Sequence, residues 1–245
     1  MDIKPPFGYK EIVPLNRSQK VRLLRPGEMP EFARDLNSIP ISYTEFALVA
    51  REYPIVFTAI AGTQTYSPVA VLGMTAGENL YNNGGAWAGG IYIPAYARRF
   101  PFCMAKVTLD KVEQQNRLIC VEKLNIDETG EALFDAKGRP SEKWQEIERL
   151  LTQYETDLER SREMCGILAD YSLLEPFTMQ AKFSKGGDPL AMTGMHRVAE
   201  ARIEHLNASQ LKNLVRKGIL SRVYAHLLSL DNFARLLDRK AVKAA

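Results

Sequence analysis

At 245 residues the chain is long enough to bury a real core, and its 46% hydrophobic and 25% charged content is ordinary for a soluble globular protein. Its net charge of +3 is spread along the chain rather than gathered into a run, which argues against nucleic-acid binding. No stretch approaches the roughly 20 apolar residues of a membrane span, and the N-terminal residues lack the apolar run of a signal peptide, so a soluble, cytoplasmic protein is expected.

The first forty residues carry Pro5, Pro6, Pro14, Pro26, Pro30 and Pro40. Each disfavours helix in the residue before it, so residues 1–40 read as an extended arm wrapped on the body. Within it Leu15–Leu24 alternates well enough to supply a strand. Tyr43–Glu52 reads as a short helix capped by Ser42 and stopped before Pro54.

From residue 53 the period shifts to strands, and 53–124 reads as the sheet core. Pro54–Ile60 and Pro68–Leu72 are β-branched runs joined by a turn at Gly62. Asn82-Asn83-Gly84-Gly85 is a hairpin signal, because primed turns need the positive φ that Asn and Gly tolerate. Ala86–Ile93 reads as a strand whose Gly89 and Gly90 mark a bulge or a close approach. Phe102–Leu109 and Arg117–Leu124 are two further strands. Short sequential strands joined by tight turns point to an antiparallel sheet rather than parallel crossovers.

Asp127–Glu131 and Asp135–Pro140 are turns, with Leu133 and Phe134 between them plugging the core. Helices occupy 141–175. Trp144, Ile147, Leu151, Tyr154 and Leu158 make one apolar stripe behind a Ser141 cap, and a second helical pattern carries Met164, Ile167, Leu168 and Tyr171. A hairpin spans 177–198 around Lys185-Gly186-Gly187-Asp188. The tail, 207–240, is helical: Asn207 and Gln210 form a capping box, Gly218 ends that helix, and a break falls near Asp231. The whole reads as one α+β domain, mainly antiparallel sheet with packed helices and a helical C-terminal region.

The densest collection of functional residue types lies between Gly77 and Phe102. Glu78, Asn79, Trp87, Tyr92, Tyr96, Arg98 and Arg99 are the candidate ligand-binding residues. A guanidinium holds a carboxylate or phosphate bidentately and stacks on rings, so the cluster reads as an anchor for a peptide or anionic small ligand. In a strand Arg98 and Arg99 point to opposite faces, so at most one shares a pocket with the rings. The alternative is structural: one arginine pairs with an acid such as Glu78 while the other is solvated. An enzyme would use Tyr92 or Tyr96 as a general acid near Glu78. No nucleophile motif, phosphate loop or dinucleotide fingerprint is present. His196, His205 and His226 lack partners at ligand spacing, so no metal and no cofactor are expected. Cys103, Cys120 and Cys165 lack C-x-x-C spacing and read as buried free thiols of a reducing compartment.

Pro54–Phe57, Gly77–Tyr81, Trp87 and above all Tyr92–Phe102 (YIPAYARRFPF) resemble the SapC family of bacterial proteins. Leu133–Asp135, Leu173-Leu174-Glu175-Pro176, Gly194 and the Leu-rich tail through His226 and Ser229 follow in the same order. The resemblance departs at Asn82-Asn83-Gly84-Gly85, where relatives tend to carry acids. It implies an accessory role in handling a peptide or small molecule, with a flavin-dependent halogenase-like protein or a TonB-receptor-linked system as partner. The family's name reflects a link to surface-layer proteins, whereas the lack of an export signal argues against a lattice subunit; a structural surface-layer-associated subunit that self-associates as a homo-oligomer is an alternative expectation. The resemblance assigns no catalytic residue.

Overall fold

The computed structural model describes residues 3–60, 62–63, 65–106, 108–109, 112–113, 117–181 and 190–243. In chain order the strands are β1 (Ile12–Pro14), β2 (Lys20–Val21), β3 (Ser38–Pro40), β4 (Ile55–Ala59), β5 (Tyr66–Val71), β6 (Asn82–Asn83), β7 (Ala86–Trp87), β8 (Phe102–Ala105), β9 (Thr108–Leu109), β10 (Val112–Glu113), β11 (Leu118–Glu122), β12 (Glu131–Ala132), β13 (Leu174–Ala181) and β14 (Leu190–Val198). The helices are α1 (Phe46–Val49), α2 (Ala95–Arg98), α3 (Glu142–Asp170), α4 (Ala208–Arg216), α5 (Ile219–Ser229) and α6 (Asn232–Lys243).

Two antiparallel sheets carry the α+β architecture. The larger has the order β13-β14-β4-β5-β3, and the smaller the order β1-β11-β8. β4 and β5 supply Ile55, Val56, Phe57, Val69, Ala70 and Val71 to the main core, where α3, α5 and α6 pack. A second cluster, Val21, Phe102, Val121, Leu133, Trp144 and Leu151, lies against the smaller sheet. α3 belongs to both. Its first half presents Trp144 and Leu151 to the second cluster, and its later turns present Tyr154, Met164, Cys165 and Leu168 to the first.

The 29-residue α3 spans about 43 Å at 1.5 Å per residue. It is one helix where the sequence suggests two patterns. The polar run Glu159–Glu163 is not a break: Ser161 turns inward and donates to Asp157 O, while on the exposed side Arg162 pairs with Glu159, Arg117 reaches Glu159 at 2.9 Å, and Lys217 pairs with Glu163. Ser141 Oγ accepts the Trp144 N–H at 3.2 Å and caps the start. At the other end Ser172 takes a left-handed conformation, and Leu173 N donates back to Leu168 O at 2.9 Å.

The N-terminal arm does lie along the body. β1 pairs with β11, and Met29 N donates to Gly85 O while Trp87 N donates to Gly27 O, so the arm adds a third ribbon beside the β6–β7 hairpin. Of the alternating run Leu15–Leu24, only Lys20–Val21 becomes strand, because its partner β12 is itself two residues long. The hairpin at Asn82–Trp87 forms as its turn chemistry demands, with Gly84 and Gly85 both at positive φ. The strand expected over Ala86–Ile93 stops at Trp87. No neighbour crowds Gly89 or Gly90, so no other described segment of the chain comes close there. That role belongs to Gly73, where an added Cβ would lie 1.9 Å from the Glu78 carbonyl oxygen.

β11 ends at Glu122, short of Leu124, and a 3-10 turn follows over Lys123–Asn125. Tyr43–Glu52 divides into a 3-10 turn, Tyr43–Glu45, and the single turn α1. β13 and β14 form the expected hairpin, whose turn at Lys185–Asp188 lies outside the described residues. The tail follows its signals: the Asn207/Gln210 capping box opens α4, Gly218 at φ 69° separates α4 from α5, and Asp231 separates α5 from α6. All three cysteines are free and buried, Cys103 facing Cys120 across β8 and β11. Burial pushes their thiols up, to about 12 for Cys103, about 11 for Cys120 and about 12 for Cys165.

Candidate functional site

Between Trp87 and Phe102 the sheet core expected over 53–124 is interrupted, and a helical turn stands where a strand would set Arg98 and Arg99 on opposite faces. Pro94 has the fixed φ that suits a helix entry, and Ala95, Tyr96, Ala97 and Arg98 form a single helical turn, α2. Arg98 N and Ala97 N both donate to Pro94 O, and Arg99 N donates to Ala95 O at 3.0 Å. Successive helical residues diverge by about 100°, so Arg98 and Arg99 enter different surroundings.

Arg98 points to solvent. Its Nε donates to Ile93 O at 2.9 Å and its Nη2 to the Tyr92 hydroxyl at 2.8 Å, with the guanidinium carbon 5.3 Å from the Tyr92 ring centre. Among the described residues no carboxylate forms an ion pair with it. The Tyr92 hydroxyl donates in turn to Glu45 Oε1 at 3.0 Å. Glu45 is buried, and its oxygens also accept from Ser42 N and Ser42 Oγ, both at 2.7 Å, and from Ala95 N at 2.6 Å. One carboxylate therefore closes the 3-10 corner before α1 and caps the start of α2. Burial, then the Glu45 carboxylate, push the Tyr92 phenol above the usual tyrosine range, against the opposing pull of Arg98.

Two depressions meet at Arg98 and Leu150, which line both. One, of about 370 Å³, is a groove between the Ser42–Leu48 corner, α2 and α3, with Tyr92, Gln153 and Asp157 on its walls. The other, of about 300 Å³, runs beside the first turns of α3 and is walled by Leu23, Leu24, Phe102, Ile147 and Leu150, with Lys143 and Glu146 at its rim.

Arg99 is an interior residue. Its guanidinium carbon lies 4.2 Å from the Tyr96 ring centre, 4.7 Å from Tyr154 and 5.6 Å from Tyr9. Its nearest acid, Glu155, is 3.9 Å away and is held more closely by Arg117, and the Arg99 Nε has no hydrogen-bond partner. Three ring faces thus surround a buried cation. Burial raises the phenols of Tyr9, Tyr96 and Tyr154 although the Arg99 charge pulls them down. The Tyr96 hydroxyl donates to Phe7 O at 2.6 Å and the Tyr9 hydroxyl to Phe102 O at 2.7 Å.

The remaining predicted residues lie elsewhere. Trp87 is buried in the hairpin, with its indole N–H unpartnered. It lies apart from Tyr96, whose ring packs against Phe32 and Tyr154. Glu78 pairs with Lys240 at 2.7 Å rather than with either arginine. Partial burial pushes its carboxyl up, but Lys240 and the Met74 amide hold it below the usual value. Asn79 is buried, donating to Ala33 O at 2.7 Å and accepting from Tyr81 N at 2.9 Å. The Tyr–Glu78 acid pair expected of an enzyme therefore does not form. Tyr92 meets Glu45 instead, a residue that the Ser42-x-x-Glu45 spacing of a capping box announces.

Among the described residues no group of three His, Cys, Asp or Glu side chains is placed to hold a metal ion, and no helix is long and apolar enough to cross a membrane. His226 is buried as a neutral ring between Ile55 O and the Val198 amide. The SapC family model matches residues 17–236. No curated protein and no solved structure matches the chain.

Proposed function

The chain belongs to the SapC family, and on that footing we propose that it is a binding or accessory protein that recognises a peptide or anionic small ligand at the groove beside Arg98 and Tyr92. One observation carries the reading. Arg98 is an exposed guanidinium held by a carbonyl and a phenol, with no acid neutralising it among the described residues. A cation fixed in direction but left without a counter-ion attracts an anion from solution. The compartment we propose is the cytoplasm, where three unpaired thiols stay reduced. The partner, as the family resemblance implies, is a halogenase-like flavoprotein.

The test is binding of short peptides with a free C-terminal carboxylate, against the same peptides amidated. Free acids should bind and amides should not, and Arg98→Ala should lose the free acids while melting like the parent. Equal binding of amides, or full retention in Arg98→Ala, would count against this function.

A further inference from the structure

We infer that the ligand of this site is a small amphipathic monocarboxylate, its carboxylate on the outer edge of Arg98 and its branched aliphatic or aryl tail in the adjoining cleft. This rests on the reading of Arg98 above and names what the site takes. A guanidinium has five N–H donors. Arg98 directs its Nε–H to Ile93 O and one Nη2 N–H to the Tyr92 hydroxyl. The Nη1 group and the second Nη2 N–H remain, and these form the end-on edge that matches two carboxylate oxygens. Glu45 does not compete for that edge, because each of its oxygens already accepts two hydrogen bonds.

The tail follows from the second depression. Leu150 and Arg98 line both hollows, so the apolar cleft opens directly beside the guanidinium. Leu23, Leu24, Phe100, Phe102 and Ile147 supply its apolar walls beside Arg99, and its volume of about 300 Å³ stands at the lower end of the range for small-molecule sites. At the rim Lys143 faces Glu146 at 3.4 Å, so these two charges offset one another. Arg99 also lines the cleft, but its guanidinium is engaged by the Tyr9, Tyr96 and Tyr154 rings and lies 3.9 Å from Glu155, so it adds positive potential at the wall without offering a free end-on edge. The site therefore selects one negative charge followed by apolar surface.

Calorimetric titration of the full chain with acetate, 4-methylpentanoate, phenylacetate and inorganic phosphate tests this. The two tailed acids should bind at least about tenfold more tightly than acetate, since each buried methylene adds affinity, and phosphate should bind most weakly. Leu24→Asn and Ile147→Asn, each checked by melting, should reduce the tailed acids to the acetate level and leave acetate unchanged. Two substitutions on different elements guard against one failing to fold. Arg98→Gln should weaken all three carboxylates. Acetate or phosphate binding as tightly as the tailed acids overturns the amphipathic ligand and leaves the Arg98 anchor standing. Indifference of every probe to Arg98→Gln, or no binding at all, overturns both.

Discussion

The groove at Arg98 and the interior node at Arg99 use the same side-chain types, arginine, tyrosine and glutamate, and arrange them to opposite ends. Inside, three tyrosine rings surround the Arg99 guanidinium and hold the N-terminal arm, α2 and α3 together. Outside, Tyr92 and Glu45 fix the direction of Arg98 and leave its outer edge in water. One guanidinium is enclosed by rings, with its Nε left without a partner, and the other keeps an exposed edge for the proposed ligand. What separates the two is a single step around one turn of helix.

The largest effect that can break this contrast is at Arg99. Arg99→Ala removes a buried side chain and the charge that three rings enclose, and should cost about 3–5 kcal/mol in urea unfolding. Arg99→Lys keeps the charge but not the planar stacking, and should fall between. A loss of less than about 1 kcal/mol for the alanine variant would deny the node its structural role, since typical surface changes have that size.

His226 sharpens the same point from a site without a cage. Burial lowers its imidazole to about 4, with Ile55 O and the Val198 amide fixing the neutral form. Its folded pKa lies below the ordinary value of 6.5, so the unfolded chain binds the proton more readily. Stability is therefore fully present above pH 6.5 and is lost as pH falls through about 4, by about 3 kcal/mol. Melting across this window should fall steeply in the parent. In His226→Gln that titration step should be missing, whatever its starting stability.

Smaller effects belong to the groove. Tyr92→Phe deletes the hydroxyl that joins Arg98 to Glu45 and should cost about 1 kcal/mol in urea unfolding, while carboxylate binding weakens as Arg98 loses its direction. Arg98→Ala should change stability by no more than about 0.5 kcal/mol, because the side chain is exposed, and yet remove binding. If instead Arg98→Ala unfolds the chain, the distinction between the neighbours disappears.

The elements legible in the sequence are those decided by near neighbours. The Asn-Asn-Gly-Gly turn, the apolar stripe from Trp144 to Leu158 and the Asn207/Gln210 box each contain their own physical cause within a few residues. The segment Tyr92–Phe102 has no such closure. It lies inside the expected sheet core, but Pro94 and the carboxylate of Glu45 at the Ala95 amide set one helical turn there, Ala95–Arg98. Nor does any local pattern reveal that Arg99 meets Tyr9 and Tyr154, which come from the distant arm and from α3. Residue types drew attention to Gly77–Phe102 but did not say which of its side chains are enclosed. Only the long-range packing divides it into an inside and an outside.

The three closed thiols stand in different parts of the molecule, Cys103 and Cys120 within the smaller sheet and Cys165 on α3 facing the main core. Because one long helix serves both cores, they give the chain a built-in clock for its own opening. An alkylating reagent should modify all three at a common rate if the two halves come apart together, and at two rates if the smaller sheet loosens first.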